Sequence, residues 1–124
     1  MKTYKDTHKF PLRLCDGSHF IFDANNHHVA QFEPQFDING NFQDGYCEFI
    51  KDCIDKINGK EINIEVQFEL KYDGIFILNQ EEPIIIIRGW GYLTGTGGGL
   101  GLSQTMAASI QDEFAEFVLT ILNK

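Results

Sequence analysis

Between Glu61 and Tyr72 the chain alternates. Ile62, Ile64, Val66, Phe68, Leu70 and Tyr72 fall on one parity, and Glu61, Asn63, Glu65, Gln67, Glu69 and Lys71 on the other. A period of two sends the two sets to opposite faces of a strand, so the segment predicts a long antiparallel strand with one buried and one acidic face. Shorter strand-like runs are Phe10 to Leu14, His19 to Phe22, Val29 to Phe32, Ile75 to Leu78 and Ile84 to Arg88. Pro11 confines the first of these to a sheet edge. Asp23-Ala24-Asn25-Asn26-His27 reads as a hairpin turn, because Asp and Asn bond their own backbone and tolerate left-handed φ. Ile38-Asn39-Gly40-Asn41 is a further turn, and four consecutive isoleucines, Ile84 to Ile87, predict a central strand covered on both faces or partly by a second subunit.

Two segments change to a helical period. Tyr46, Phe49, Ile50, Cys53, Ile54 and Ile57 recur at steps of three and four, with Lys51, Asp52, Asp55 and Lys56 on the wet face. Asp44 is the expected N-cap and Asn58-Gly59 the stop. Met106, Ala107, Ile110, Phe114, Phe117, Val118, Ile121 and Leu122 form a second apolar stripe, with Ser103 as its N-cap. Residues 1–9 are polar and read as a frayed terminus. The expected fold is α+β: a single domain, 1–124, with a mainly antiparallel sheet and two amphipathic helices, at about 44–58 and 103–122, packed on one face. Tyr46 to Ile50 matches Phe114 to Val118 without gaps, and Cys53-Ile54 then matches Ile121-Leu122. This weak echo raises an internal duplication, about 10–58 and 61–124, against the plainer reading that amphipathic helices resemble one another.

With 124 residues, 43% hydrophobic and 23% charged, the chain has the composition of a globular domain able to bury its own core. Its net charge of −8 is uneven, since four of ten basic residues lie in residues 1–13. The rest is strongly acidic, which argues against direct nucleic-acid binding or an anionic membrane and fits either solubility or contact with a basic protein surface. No apolar run approaches the roughly 18 residues that span a bilayer. The three cysteines, Cys15, Cys47 and Cys53, suit reduced thiols in a cytoplasm better than a disulfide framework. Eleven Phe, four Tyr and one Trp, with the all-isoleucine strand, predict more apolar surface than two helices cover and hence a homo-oligomer, most simply a dimer.

Candidate chemistry concentrates in Arg88-Gly89-Trp90-Gly91-Tyr92-Leu93-Thr94-Gly95-Thr96-Gly97-Gly98-Gly99-Leu100-Gly101, ahead of Ser103-Gln104. A strand, glycine-rich turn and helix N-terminus can hold an anion on converging backbone N–H groups. Arg88 supplies charge, Trp90 and Tyr92 can stack on a base, Thr94, Thr96, Ser103 and Gln104 add donors, and Gly97, Gly98 and Gly99 allow close approach. The phosphate-loop lysine and the dinucleotide fingerprint are both missing, and the absence of charge from Gly89 to Gln111 equally fits a structural or interface loop. His8, His19, His27, His28 and Cys15 lack paired ligand spacing, so no metal or other cofactor is assigned. Cys15 or Cys47 with a histidine, and Asp112, Glu113 and Glu116 with a magnesium ion, are weaker catalytic readings.

Two stretches carry a resemblance. Phe22 to Ala30, followed by Glu48-Phe49-Ile50 and Ile57-Asn58, is similar to a pattern in small phage proteins, although Asn26 stands where glycine is usual. Ile87 to Gly95, followed by Ile110 to Phe114 and Leu122-Asn123, resembles a second and more specific pattern in phage and prophage accessory proteins of unknown function. The resemblance implies an accessory protein acting in a bacterial host cytoplasm and supplies no catalytic residues. Three functions follow as expectations. The chain binds a small anionic or nucleotide ligand, such as a signal of host immunity, at the glycine-rich loop. It inhibits a host defence protein by acidic surface contact. Or it is a small metal-dependent phosphoesterase-like enzyme.

Overall fold

A computed structural model describes residues 3–15, 19–34, 36–41, 43–64, 67–71, 76–79 and 82–124. The fold is α+β. Among the described residues, strands β1 (Arg13–Leu14), β2 (Phe20–Phe22), β3 (His28–Phe32), β4 (Glu69–Lys71), β5 (Phe76–Asn79) and β6 (Glu82–Ile87) form one sheet in the order β1-β2-β3-β6-β5-β4. Every pairing is antiparallel. Helices α2 (Tyr46–Ile57) and α4 (Gln104–Leu122) pack side by side across one face, with the short helices α1 (Tyr4–Thr7) and α3 (Trp90–Thr94) against α4. Ile21, Ala30, Phe32, Ile77, Ile85 and Ile87 point into the layer between sheet and helices, each 3% exposed or less. They meet Ile50, Cys53, Ile57, Ile110, Phe114 and Val118 there. The isoleucine run is the central strand, hydrogen-bonded to β3 on one side and β5 on the other.

Several expectations are corrected. The alternation at 61–72 becomes a ladder only over Glu69–Lys71, while 61–64 and 67–68 are unpaired; residues 65, 66 and 72 lie outside the described residues. Alternation specifies which side is buried, not how much partner strand exists, and the four-residue β5 pairs with only three of its residues. Phe68 is still buried, and the Asn123 side chain takes its backbone in place of a strand, at 2.8 Å to both its N–H and its C=O. Asp44 does not cap α2. Gly45 occupies that position in a left-handed conformation, without a side-chain bond. Lys56 is not on a wet face: it is 7% exposed, and its Nζ donates to the carbonyls of Leu122 (3.1 Å) and Lys124 (2.7 Å) at the end of α4. A cation there complements the helix dipole, which a pattern confined to α2 cannot reveal.

Residues 1–9 are not simply frayed. Thr3 and Asp6 build a capping box around α1, and Tyr4 is buried, its ring stacked on Phe117 at 5.0 Å. The glycine-rich segment is not all loop either, since α3 opens it. Ser103 caps α4 as expected, accepting from the Met106 N–H at 3.2 Å.

Candidate functional site

The site grows from the end of β6. Arg88 extends the ladder by donating its N–H to Val29 at 2.9 Å. Its carbonyl is held at 3.1 Å by Nε2 of Gln111, a buried polar residue on α4. The chain then turns at Gly89 (φ 105), a left-handed position suited to glycine, and enters α3. Fully buried Leu93 anchors α3 to the core, so Trp90 and Tyr92 are carried to the rim of the sheet. Tyr92 stacks on His27 at 3.7 Å between centroids and donates its hydroxyl to Thr7 at 3.3 Å.

His27 belongs to the β2–β3 turn, which is organised by Asp23. That carboxylate is fully buried and accepts from the backbone of Lys9, Asn25 and His27 at 2.9–3.0 Å, with the His27 ring at 3.4 Å. Burial by itself would raise its pKa; the bonds from Lys9 and His27 outweigh that and leave it below the ordinary carboxylate value. His28 sits between the rings of Phe20 (5.0 Å) and Phe22 (5.5 Å). Burial, and then the nearby Arg88 charge, push its pKa down, so it is neutral at pH 7, and its buried Nε2 has no hydrogen-bond partner among the described residues.

These pieces enclose a cleft of about 890 Å³ where the β2–β3 turn, the end of β6 and α3 meet. That is ample for a small ligand. Of the residues singled out from sequence, Arg88, Trp90 and Tyr92 line it; Thr94, Thr96, Gly97, Gly98, Gly99, Ser103 and Gln104 do not. Thr94 bonds back to the Trp90 carbonyl at 2.8 Å. The Ser103 hydroxyl is committed as a cap. The glycines bring the chain close to itself: Leu100 N–H donates to Tyr92, Gly101 to Gly95 and Leu102 to Leu93, at 2.8–2.9 Å. A Cβ on Gly99 would collide with the Tyr92 carbonyl and lie 2.7 Å from that of Gly95.

Sequence reasoning missed Phe20, Gln31, His27, His28 and Gln111 as lining residues. The histidines stood out only as metal candidates, and nothing in the sequence separates Gln111 from a wet-face glutamine. Among the described residues no group of three or more His, Cys, Asp or Glu could hold a metal, and Asp112, Glu113 and Glu116 are all exposed. Burial pushes the Cys53 thiol up to about 12, so it is an inert core residue. A second cleft, about 610 Å³, lies by Lys56, Lys60, Ile62 and Ile121, but the Lys56 ammonium is already used by two carbonyls. No helix among the described residues is long and apolar enough to cross a membrane. Comparison of the chain with protein families, curated proteins and solved structures finds no match.

Proposed function

We propose that the protein binds a small anionic ligand with an aromatic ring, of the nucleotide class, in the cleft beside α3. One observation carries this reading: a single cleft gathers a cation (Arg88), an aromatic surface 40% exposed (Trp90) and polar side chains from β3 and α4 (Gln31, Gln111). Arg88 meets a phosphate with charge-assisted bonds, and Trp90 offers a face on which a base stacks. The resemblance to phage and prophage accessory proteins supports a setting in the host cytoplasm, where sequestering a nucleotide signal would blunt host immunity.

The test uses the only tryptophan in the chain. Trp90 fluorescence and melting temperature are followed against a panel of mononucleotides, cyclic nucleotides and dinucleotides. A binder changes the emission and raises the melting temperature. Arg88→Ala weakens that binder by about tenfold to a hundredfold, the worth of a hydrogen bond to a charged group. A panel that leaves both signals unmoved sinks the reading.

A second reading, contact with a host protein, is favoured by the turn at residues 37–41. Asp37 fixes this turn by accepting from the N–H groups of Asn39 and Asn41 at 2.9 and 3.0 Å, and Ile38 stands on it fully exposed. Exposed Phe20 and Phe36 also support self-association, which light scattering measures directly.

A further inference from the structure

We propose that Gln31 is a positioning residue that makes Arg88 an end-on fork for a ligand oxyanion. This rests on the ligand reading above. A guanidinium has two edges able to grip paired oxygens, one using Nε and one using only the terminal nitrogens. Here Nε donates to Oε1 of Gln31 at 3.1 Å, so the first edge is occupied. The terminal nitrogens have no partner among the described residues, and Arg88 is exposed.

Both ends of this contact are rigid. Gln31 lies in the middle of the sheet, opposite Phe20 on β2 and Ile86 on β6. Arg88 is pinned through its own N–H and through its carbonyl by Gln111. A long side chain that would otherwise sample many rotamers is therefore held in one arrangement before the ligand arrives, which lowers the ordering cost of binding. The choice of glutamine is also chemical. A glutamate here would form an ion pair with Arg88 and cancel the charge, whereas the neutral amide orients the cation, leaves it intact and keeps its own N–H₂ as a further donor beside the fork. The group selected is an oxyanion presenting two oxygens, a phosphate or a carboxylate, and the neutral nucleoside is discriminated against.

Trp90 fluorescence titrations use the four ribonucleoside 5′-monophosphates, the matching nucleosides and the nucleoside 5′-carboxylates. The expected result is that at least one monophosphate or carboxylate binds and its parent nucleoside binds at least tenfold more weakly. Gln31→Leu then loses about tenfold in affinity with an unchanged melting temperature, Gln31→Glu loses more, and Gln31→Leu adds nothing further in an Arg88→Ala background. Binding that depends on Arg88 but survives Gln31→Leu at wild-type affinity overturns the positioning role and leaves the ligand reading standing. Equal binding of nucleoside and anion overturns the fork. If none of the compounds binds, the reading falls and the inference falls with it.

Discussion

The two halves of this molecule are built alike, and only one of them carries a cleft. In the first half β1, β2 and β3 form a meander followed by α2; in the second, β4, β5 and β6 do the same before α4. The halves meet at β3 and β6, so the sheet reads the same from either edge. Arg13 opposite Phe22 corresponds to Glu69 opposite Leu78. Each half has a register shift at the same place, between Ile21 and Phe22 and between Ile77 and Leu78, which leaves Val29 and Ile84 as extra residues, both buried. The main chain repeats across the seam as well: Arg88 donates to Val29, and Glu33 donates to Ile84. Tyr46 on α2 bonds the Glu33 carbonyl at 2.8 Å, where Gln111 on α4 bonds that of Arg88. Each long helix ends in an asparagine that clamps one residue just ahead of a first strand, Asn58 on Leu12 and Asn123 on Phe68, through both N–H and C=O. This geometry matches Phe49 with Phe114, three residues away from the alignment of the sequence echo.

The difference lies in the connections. From β3 to α2 the chain runs through residues 33–45, whereas from β6 to α4 it inserts α3 and the self-bonded glycine segment. Function sits on that departure from symmetry. The scaffold supplies two equivalent strand ends, and α3 roofs only the one at Arg88; the corresponding residue in the other half is Glu33.

The equivalence can be broken most forcefully in the core. Ile21→Ala and Ile77→Ala occupy matching sites, 1% and 0% exposed. Each is expected to cost about 3–4 kcal/mol. Urea midpoints that differ by more than roughly 1.5 kcal/mol between them would show that the halves do not share one kind of core.

Acid should separate the halves. His8, buried against Phe114 at 4.6 Å, has no buried counterpart among the described histidines of the second half. Burial pushes its pKa down to about 4, with the Asp23 charge opposing. The unfolded chain therefore takes up the proton first, so stability is complete above about pH 6.5 and falls as the pH drops toward 4, by up to about 3 kcal/mol. Asp23, with its own lowered pKa, deepens the loss below the ordinary carboxylate range. Denaturation midpoints between pH 7 and 4 should show that slope, and His8→Phe should flatten it; an unchanged slope excludes His8 as its source.

A smaller effect tests the clamps. Asn58→Ala and Asn123→Ala each strip two bonds from a strand-entry residue and should cost about 2 kcal/mol. A clamp worth nothing on one side would mean that strand entry there is fixed by packing alone. The smallest contrast probes the insertion. Gly99→Ala drives a Cβ into two carbonyls and should cost about 1–3 kcal/mol, whereas Gly97→Ala meets nothing within 4 Å and should stay within about 0.5 kcal/mol. Equal melting temperatures for the pair would show that the segment is not packed on itself.

The residue pattern alone determined the fold class, the two long helices, the Ser103 cap, the Asp23–His27 turn and the central isoleucine strand. Each depends on local periodicity or on a side chain bonding its own neighbourhood, and such information lies within a few residues of chain. The pattern also located Arg88, Trp90 and Tyr92, because an arginine and two aromatics among glycines are conspicuous. Tertiary structure alone decided the rest. Whether alternation at 61–72 becomes a ladder depends on the length of a partner strand. Whether Lys56 is wet depends on where α4 ends. The role of the glycines turned on what approached them, which is their own chain. The cleft itself joins residues from β2, β3, β6, α3 and α4, and no local rule brings Gln31 and Gln111 to Arg88; only the closing of the sheet at the β3–β6 seam does that.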